Sequence, residues 1–193
     1  MRLVFATGNM GKMREIKQIM EDTGYEIVSM KEAGVNPDIE ENGTSFEENA
    51  LIKARAVAAL LPNDLVLADD SGLEVDALNK EPGIYSARYL GEDTPYSIKN
   101  ADIIRRVNEI PNADRSARFV CSIAAVFPDG TEKVVRATIE GQIDYEEKGE
   151  HGFGFDPIFY VPELGCTTAE IPEEEKNKIS HRGKALRLMR EQL

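Results

Sequence analysis

Asp69-Asp70-Ser71-Gly72 follows directly on the apolar run Leu65 to Ala68. Two adjacent carboxylates leaving an apolar strand are costly to bury unless a cation or hydrogen-bond donors compensate them. Carboxylate oxygens suit Mg²⁺, which takes one or two of them together with phosphate oxygens and water. Successive side chains of a strand point to opposite faces, so one of the pair is expected to face such a metal directly. The same residues also describe a turn closed by an Asx hydrogen bond. A second segment, Thr7-Gly8-Asn9-Met10-Gly11-Lys12, lies between an apolar strand and a helix. Amides at a helix N-terminus, freed by glycine turns, cradle phosphate, and Lys12 would add a charge. It is not a Walker loop, because only two residues separate Gly8 from Gly11 and Met13 follows the lysine. An ordinary strand-to-helix turn with a solvated lysine fits as well.

Three further segments carry candidate chemistry. Glu40-Glu41-Asn42-Gly43 precedes a helix, where acids also simply favour the helix dipole. On that helix Asn49 and Lys53 are four residues apart and share a face. In Gly152-Phe153-Gly154-Phe155-Asp156 the glycines let backbone pass close to a ligand while Phe153 offers a flat face to a base, or they make a tight turn with core aromatics. Ser180-His181-Arg182-Gly183 contains one of two histidines, and its serine is equally placed to cap the last helix.

The elements that must position these residues are legible from period and punctuation. Arg2 to Ala6 reads as a buried first strand. Met13, Ile16, Ile19 and Met20 recur at helical spacing, and Glu26 to Ser29 is a short strand, giving an opening β-α-β unit. Ser45 followed by Glu48 is a capping box for a helix with the stripe Phe46, Ala50, Ala54, Val57 and Leu61, ended by Pro62. Leu65 to Ala68 is a strand, and Leu73 to Ala77 alternates as a second, half-buried one. Ile98, Ala101, Ile104 and Val107 predict another helix. Ala117 to Phe127 and Lys133 to Ile139 predict an antiparallel hairpin around Pro128-Asp129-Gly130. A short helix closes the chain. The fold class is α/β with a mixed sheet, in one continuous domain over 1–193.

Bulk properties narrow the function. A 41% hydrophobic and 30% charged composition is that of a folded globular chain, so disorder is not expected. No apolar run approaches the ~20 residues of a membrane span. Met1 to Gly8 is too short and too soon broken by glycine for a signal peptide, which predicts a cytoplasmic protein whose Cys121 and Cys166 are reduced thiols. The net charge of −12 argues against nucleic acid or a membrane surface as partner. Any bound phosphate must therefore be held by a local cluster of lysines and glycine-turn amides, with or without a metal.

No single segment decides the matter, but their order does. Thr7-Gly8-Asn9-x-x-Lys12, Phe46-x-Glu48-Asn49-Ala50-x-x-Lys53-Ala54, Ala68-Asp69-Asp70-Ser71-Gly72-Leu73, Pro82-Gly83-Ile84-Tyr85-Ser86-Ala87-Arg88-Tyr89, Gly152-Phe153-Gly154-Phe155-Asp156-Pro157 and Ser180-His181-Arg182-Gly183 resemble the inosine triphosphate pyrophosphatase family. Its bacterial and archaeal members are XTP/dITP diphosphatases. The resemblance runs from residue 2 nearly to the C-terminus. It implies an elongated mixed β-sheet flanked by helices, two lobes with an active-site cleft between them, and a homodimer. It also implies Mg²⁺-dependent hydrolysis of ITP, dITP and XTP to the monophosphate and pyrophosphate. Carried over by position, Asp70 is the general base and a metal ligand, with Glu41 a second metal carboxylate. Thr7, Gly8, Asn9, Met10, Gly11, Lys12, Asn49, Lys53 and Ser71 fall in the triphosphate region. Phe153, Gly154, Phe155, Asp156, Lys176, His181 and Arg182 correspond to the purine and sugar pocket. A donor such as Arg182, aimed at the 6-oxo group of hypoxanthine or xanthine, would be left unpaired by adenine. A pyrophosphatase for modified pyrimidine nucleotides and a non-hydrolysing nucleotide sensor are the competing readings.

Overall fold

A computed structural model describes residues 2–193, so that Met1, the first residue of the expected domain, lies outside them. In chain order the elements are β1 (Arg2–Phe5), α1 (Met10–Ile19), β2 (Glu26–Ser29), α2 (Phe46–Ala58), β3 (Leu65–Val75), α3 (Tyr96–Asn108), β4 (Ser116–Val126), β5 (Glu132–Ile143), β6 (Phe159–Val161), β7 (Cys166–Thr167), α4 (Glu173–Ile179) and α5 (His181–Arg190). The strands form one mixed seven-stranded sheet in the order β2-β1-β3-β4-β5-β6-β7. β1 is parallel to β2 and to β3, with Phe5 opposite Ser29 and Leu67, while β6 is antiparallel to β5 and to β7. The β4–β5 hairpin is closed by the Phe127 N–H donating to the Thr131 carbonyl at 2.9 Å. The α/β class with a mixed sheet is therefore as the sequence predicts. Among the described residues no helix is long and apolar enough to cross a membrane.

The chain forms two compact units. The first comprises the chain as far as Ser71, Cys121–Ala137 and His181–Leu193; the second comprises Gly72–Val120 and Thr138–Ser180. In the first unit the two-residue period of the strands sorts the core into two clusters. Leu3, Phe5, Leu65, Leu67, Cys121 and Ile123 pack with Met13 and Ile16 of α1 and with Ala185, Leu186 and Met189 of α5. Val4, Ala6, Val66, Ala68 and Ala124 pack on the other face with Ala50, Ala54 and Val57 of α2. The core of the second unit joins Leu73, Val75, Ile103, Val107, Phe119, Ile139, Phe155 and Phe159.

The helices start where the capping residues lie. The Asn9 side chain accepts from the Lys12 N–H at 3.1 Å and begins α1 at Met10. Ser45 Oγ accepts from the Glu48 N–H at 3.1 Å to begin α2, but the Glu48 carboxylate turns to the Thr44 N–H at 2.6 Å rather than to the Ser45 amide. Four further departures have physical reasons. β3 is one unbroken strand in place of two strands around a turn: Asp, Ser and Gly are turn formers locally, but β3 lies between β1, which pairs with it as far as Leu67, and β4, and its place in the sheet overrides the local preference. The helix around Ile98 buries Lys99, Asn100, Ile103 and Val107, and leaves Ile98 54% exposed, so its buried face is rotated from the apolar stripe. β6 and β7 are too short to show a period. α4 buries only Lys176 and Asn177, so it presents no apolar stripe to read.

Candidate active site

The parity that sorts the core also assigns the two aspartates. Asp69 is in step with Leu65 and Leu67 and belongs to the α1/α5 face; Asp70 is in step with Val66 and Ala68 and belongs to the α2 face. Asp69, 1% exposed, meets Lys12 Nζ at 3.0 Å and Arg182 Nε at 3.4 Å. Asp70 accepts from Asn49 Nδ2 at 3.2 Å and lies 3.6 Å from Lys53 Nζ. That ammonium also contacts Glu41 Oε2 at 3.0 Å, so one lysine joins the two expected metal carboxylates.

The two acids titrate in opposite directions. Burial pushes the Asp69 carboxyl up, but the charges of Lys12, Arg182 and Lys53 outweigh it and hold the group well below the usual carboxylate range. Burial also pushes Asp70 up, and Lys53 and Lys12 offset this only in part, so it stays above the ordinary value. Burial lowers Lys53, and Asp70, Asp69 and Glu41 more than restore it. Asp69 is thus a fixed anion that anchors cations, and Asp70 is the better proton acceptor.

Sequence reasoning missed Glu15. It is fully buried and bonded to Arg182, whose guanidinium also reaches Ser71 Oγ at 3.1 Å. The only signal was its position three residues after Lys12, on the same face of α1. Arg182 and His181 open the first turn of α5, behind Ser180 in an extended conformation at the cap position.

The turn before α1 is open to solvent. A Cβ on Gly8 would meet nothing within 4 Å, Met10 is 78% exposed, and Thr7 Oγ1 accepts from the Asn9 N–H at 3.2 Å.

In the second unit Asp156 organises the other expected cluster. It is 2% exposed and accepts from Lys176 Nζ at 2.7 Å, from the Phe153 N–H at 2.9 Å and from Thr168 Oγ1 at 2.8 Å. Lys176 Nζ also sits 5.1 Å from the centroid of the half-buried Phe153 ring. Gly152 has φ +73°, and a Cβ there would fall 2.2 Å from Asp156 Oδ2, so the loop needs glycine at this position. Phe155 turns inward and stacks edge-on against Tyr96, with ring centroids 5.1 Å apart. The residues expected in a purine and sugar pocket therefore divide by unit. Phe153 to Asp156 and Lys176 belong to the second, His181 and Arg182 to the first.

The carboxylates of Glu41 and Asp70, bridged by Lys53, are hard oxygen donors of the kind a divalent cation takes. Asp69 Oδ1 is buried without a hydrogen-bond partner among the described residues, which suits a site completed by a ligand. Among those residues no group of three or more His, Cys, Asp or Glu could hold a metal by itself. Mg²⁺ needs no such cage, since water and phosphate oxygens complete its shell.

Known proteins align with nearly the whole chain. A protein of Exiguobacterium sibiricum named dITP/XTP pyrophosphatase is 45% identical, covering 97% of this chain and 94% of its own. The Bacillus subtilis protein of that name is 46% identical over 95% and 92%. The solved Staphylococcus aureus Ham1 protein superposes with a TM-score of 0.88 at 44% identity, covering 99% of this chain and 97% of its own. The Ham1 profile matches residues 3–192, and with that span and those identities the chain belongs to the Ham1 family.

Proposed function

We propose that this protein hydrolyses ITP, dITP and XTP to the nucleoside monophosphate and pyrophosphate, removing deaminated purines from the nucleotide pool. The observation that carries this reading is the split pair at the centre of β3: Asp70, with raised basicity, held by Asn49 and by Lys53, which also pairs with Glu41, beside Asp69, which anchors Lys12 and Arg182. The names of the relatives support the same substrate class for this chain.

In this reading Thr7 to Lys12, with Asn49, Lys53 and Ser71, receive the triphosphate. Amides of the Gly8–Gly11 turn and the two ammonium groups stabilise charge building on the leaving pyrophosphate. Asp70 orients and deprotonates the attacking water, which adds across the α–β phosphoanhydride. Glu41 and Asp70 would hold Mg²⁺, which when bound would supply Lewis acidity toward phosphate oxygens and lower the pKa of water. Phe153 stacks on the base, with Gly154, Phe155, Asp156 and Lys176 forming and supporting its loop, while His181 and Arg182 supply donors for the purine and sugar. A donor such as Arg182 disfavours ATP, because adenine would leave it unpaired at the 6-position. The reading includes one domain over 1–193, supported by a single family match to residues 3–192, and a homodimer in the cytoplasm. Its partner is free nucleotide rather than nucleic acid or membrane, in keeping with the net charge of −12.

Pyrophosphate release from ITP, XTP, GTP and ATP, with Mg²⁺, with EDTA and with Asp70→Asn, tests this. Release from ITP and XTP, lost in EDTA and in the variant, is the expected result. The variant should remain folded, because burial already disfavours the charge it removes. No release from any nucleotide by the folded protein would refute the enzyme reading in favour of a nucleotide sensor.

A further inference from the structure

Asn100, in the second unit, is 1% exposed, and its Nδ2 donates to the Gly154 carbonyl at 3.3 Å and to Glu147 Oε1 at 2.6 Å. Both partners accept, so the amide orientation is fixed by chemistry. That orientation leaves Asn100 Oδ1 buried without a partner among the described residues. A buried carbonyl without a partner, on a helix face shared with Ile103 and Val107, calls for an explanation in what the rest of the side chain does. What this position supplies is the pair of donors that tie α3 to Glu147 and to the Gly154 carbonyl.

They act on the loop that carries Phe153. Gly154 has φ +68°, and a Cβ there would lie 3.6 Å from the Tyr96 ring, so the first turn of α3 leaves little room beside the loop at this position. Tyr96 also stacks edge-on against Phe155, and Lys99 Nζ lies 4.7 Å from the Tyr96 centroid while donating to the Ala87 carbonyl at 2.8 Å. Asp156 holds one end of the loop through the Phe153 N–H, and Asn100 holds its middle through the Gly154 carbonyl.

We propose that Asn100 is a positioning residue for base recognition: with Glu147 it locks the Gly154 peptide so that Phe153 is presented to the purine at a fixed height. This rests on the reading of the Phe153–Asp156 loop as the base site. Asn100 touches the loop and not the base, so its loss should loosen base binding without altering the phosphate chemistry.

The test compares wild type, Asn100→Ala, Asn100→Asp, Glu147→Ala and Phe153→Ala on ITP and ATP, with inorganic tripolyphosphate as a base-free competitor. Asn100→Asp keeps the shape but turns acceptors toward two acceptors, so it should be at least as damaging as alanine. Both Asn100 variants should raise KM for ITP about 10-fold with kcat within about 2-fold, and lower the ITP-to-ATP ratio of kcat/KM. Inhibition by tripolyphosphate should not change. The exposed Glu147→Ala should shift KM in the same direction by about 3-fold, a readout available even where Asn100 variants fold poorly. Unchanged KM and selectivity in the Glu147 and folded Asn100 variants, with Phe153→Ala impaired, would overturn the positioning role alone. A proportional loss of tripolyphosphate inhibition would also overturn it, as general disruption. Phe153→Ala matching wild type would remove the base-site reading and the inference with it.

Discussion

Lys176→Met removes one charge from a pair sealed in the second unit. The side chains of Lys176 and Asp156 are 3% and 4% exposed, with Nζ and Oδ2 2.7 Å apart. Removing one partner of a buried pair costs about 3–5 kcal/mol, because the other charge is left uncompensated. Asp156 would keep the Phe153 N–H and Thr168 Oγ1, two donors that soften the loss and place the expected cost near the lower end, at about 3 kcal/mol. For a chain of this length each kcal/mol moves the melting temperature by roughly 2–4 °C, so the variant should melt about 6–12 °C lower. Lys176→Met/Asp156→Asn removes both charges, and should recover most of the loss. Thermal and urea unfolding followed by circular dichroism measure all three proteins, and assays below the melting transition separate stability from activity. A single variant within about 1 kcal/mol of wild type, or a double variant no better than the single one, would refute the picture of a buried, charged pair.

Two other outcomes follow from the titration directions. Asp69 has a folded-state pKa held below its unfolded value of about 3.9, so its ionised form contributes stability above that pH and loses the contribution as pH falls through the folded value. Asp69→Asn should therefore melt well below wild type at pH 7, and the gap should shrink toward pH 3; a gap that is constant or grows with acidity would contradict the assignment. Cys121 is fully buried, and burial together with Asp69 pushes its thiol up to about 12, whereas Cys166 is partly exposed. A thiol reagent at pH 8 should modify Cys166 in the native protein and reach Cys121 only on unfolding, as read by mass spectrometry of the two peptides.

Periodicity and punctuation in the sequence determined β1, α1, β2, α2 and the β4–β5 hairpin, because each is specified by residues close to one another along the chain. Asn9 and Ser45 cap their own helices, and the alternation of β1 follows directly from the pleat. Each motif was equally local, which is why Asp70, Lys53, Lys12 and Phe153 stood out as candidates, and the order of the motifs along the chain is itself a property of the sequence. What lay beyond the sequence were the consequences of distant segments meeting. Asp69 to Gly72 has the composition of a turn, and only neighbouring strands make it strand. The different fates of Asp69 and Asp70 depend on α1 and α5 covering one sheet face and α2 the other, since a carboxylate's basicity is set by the charges and burial around it. Glu15 reads as solvated until Arg182, 167 residues away, is brought against it. The buried face of α3 escaped the hydrophobic pattern for the same reason: Lys99 and Asn100 are inside because Ala87, Glu147 and Gly154 offer them acceptors, and no periodicity of apolar residues records where acceptors will be.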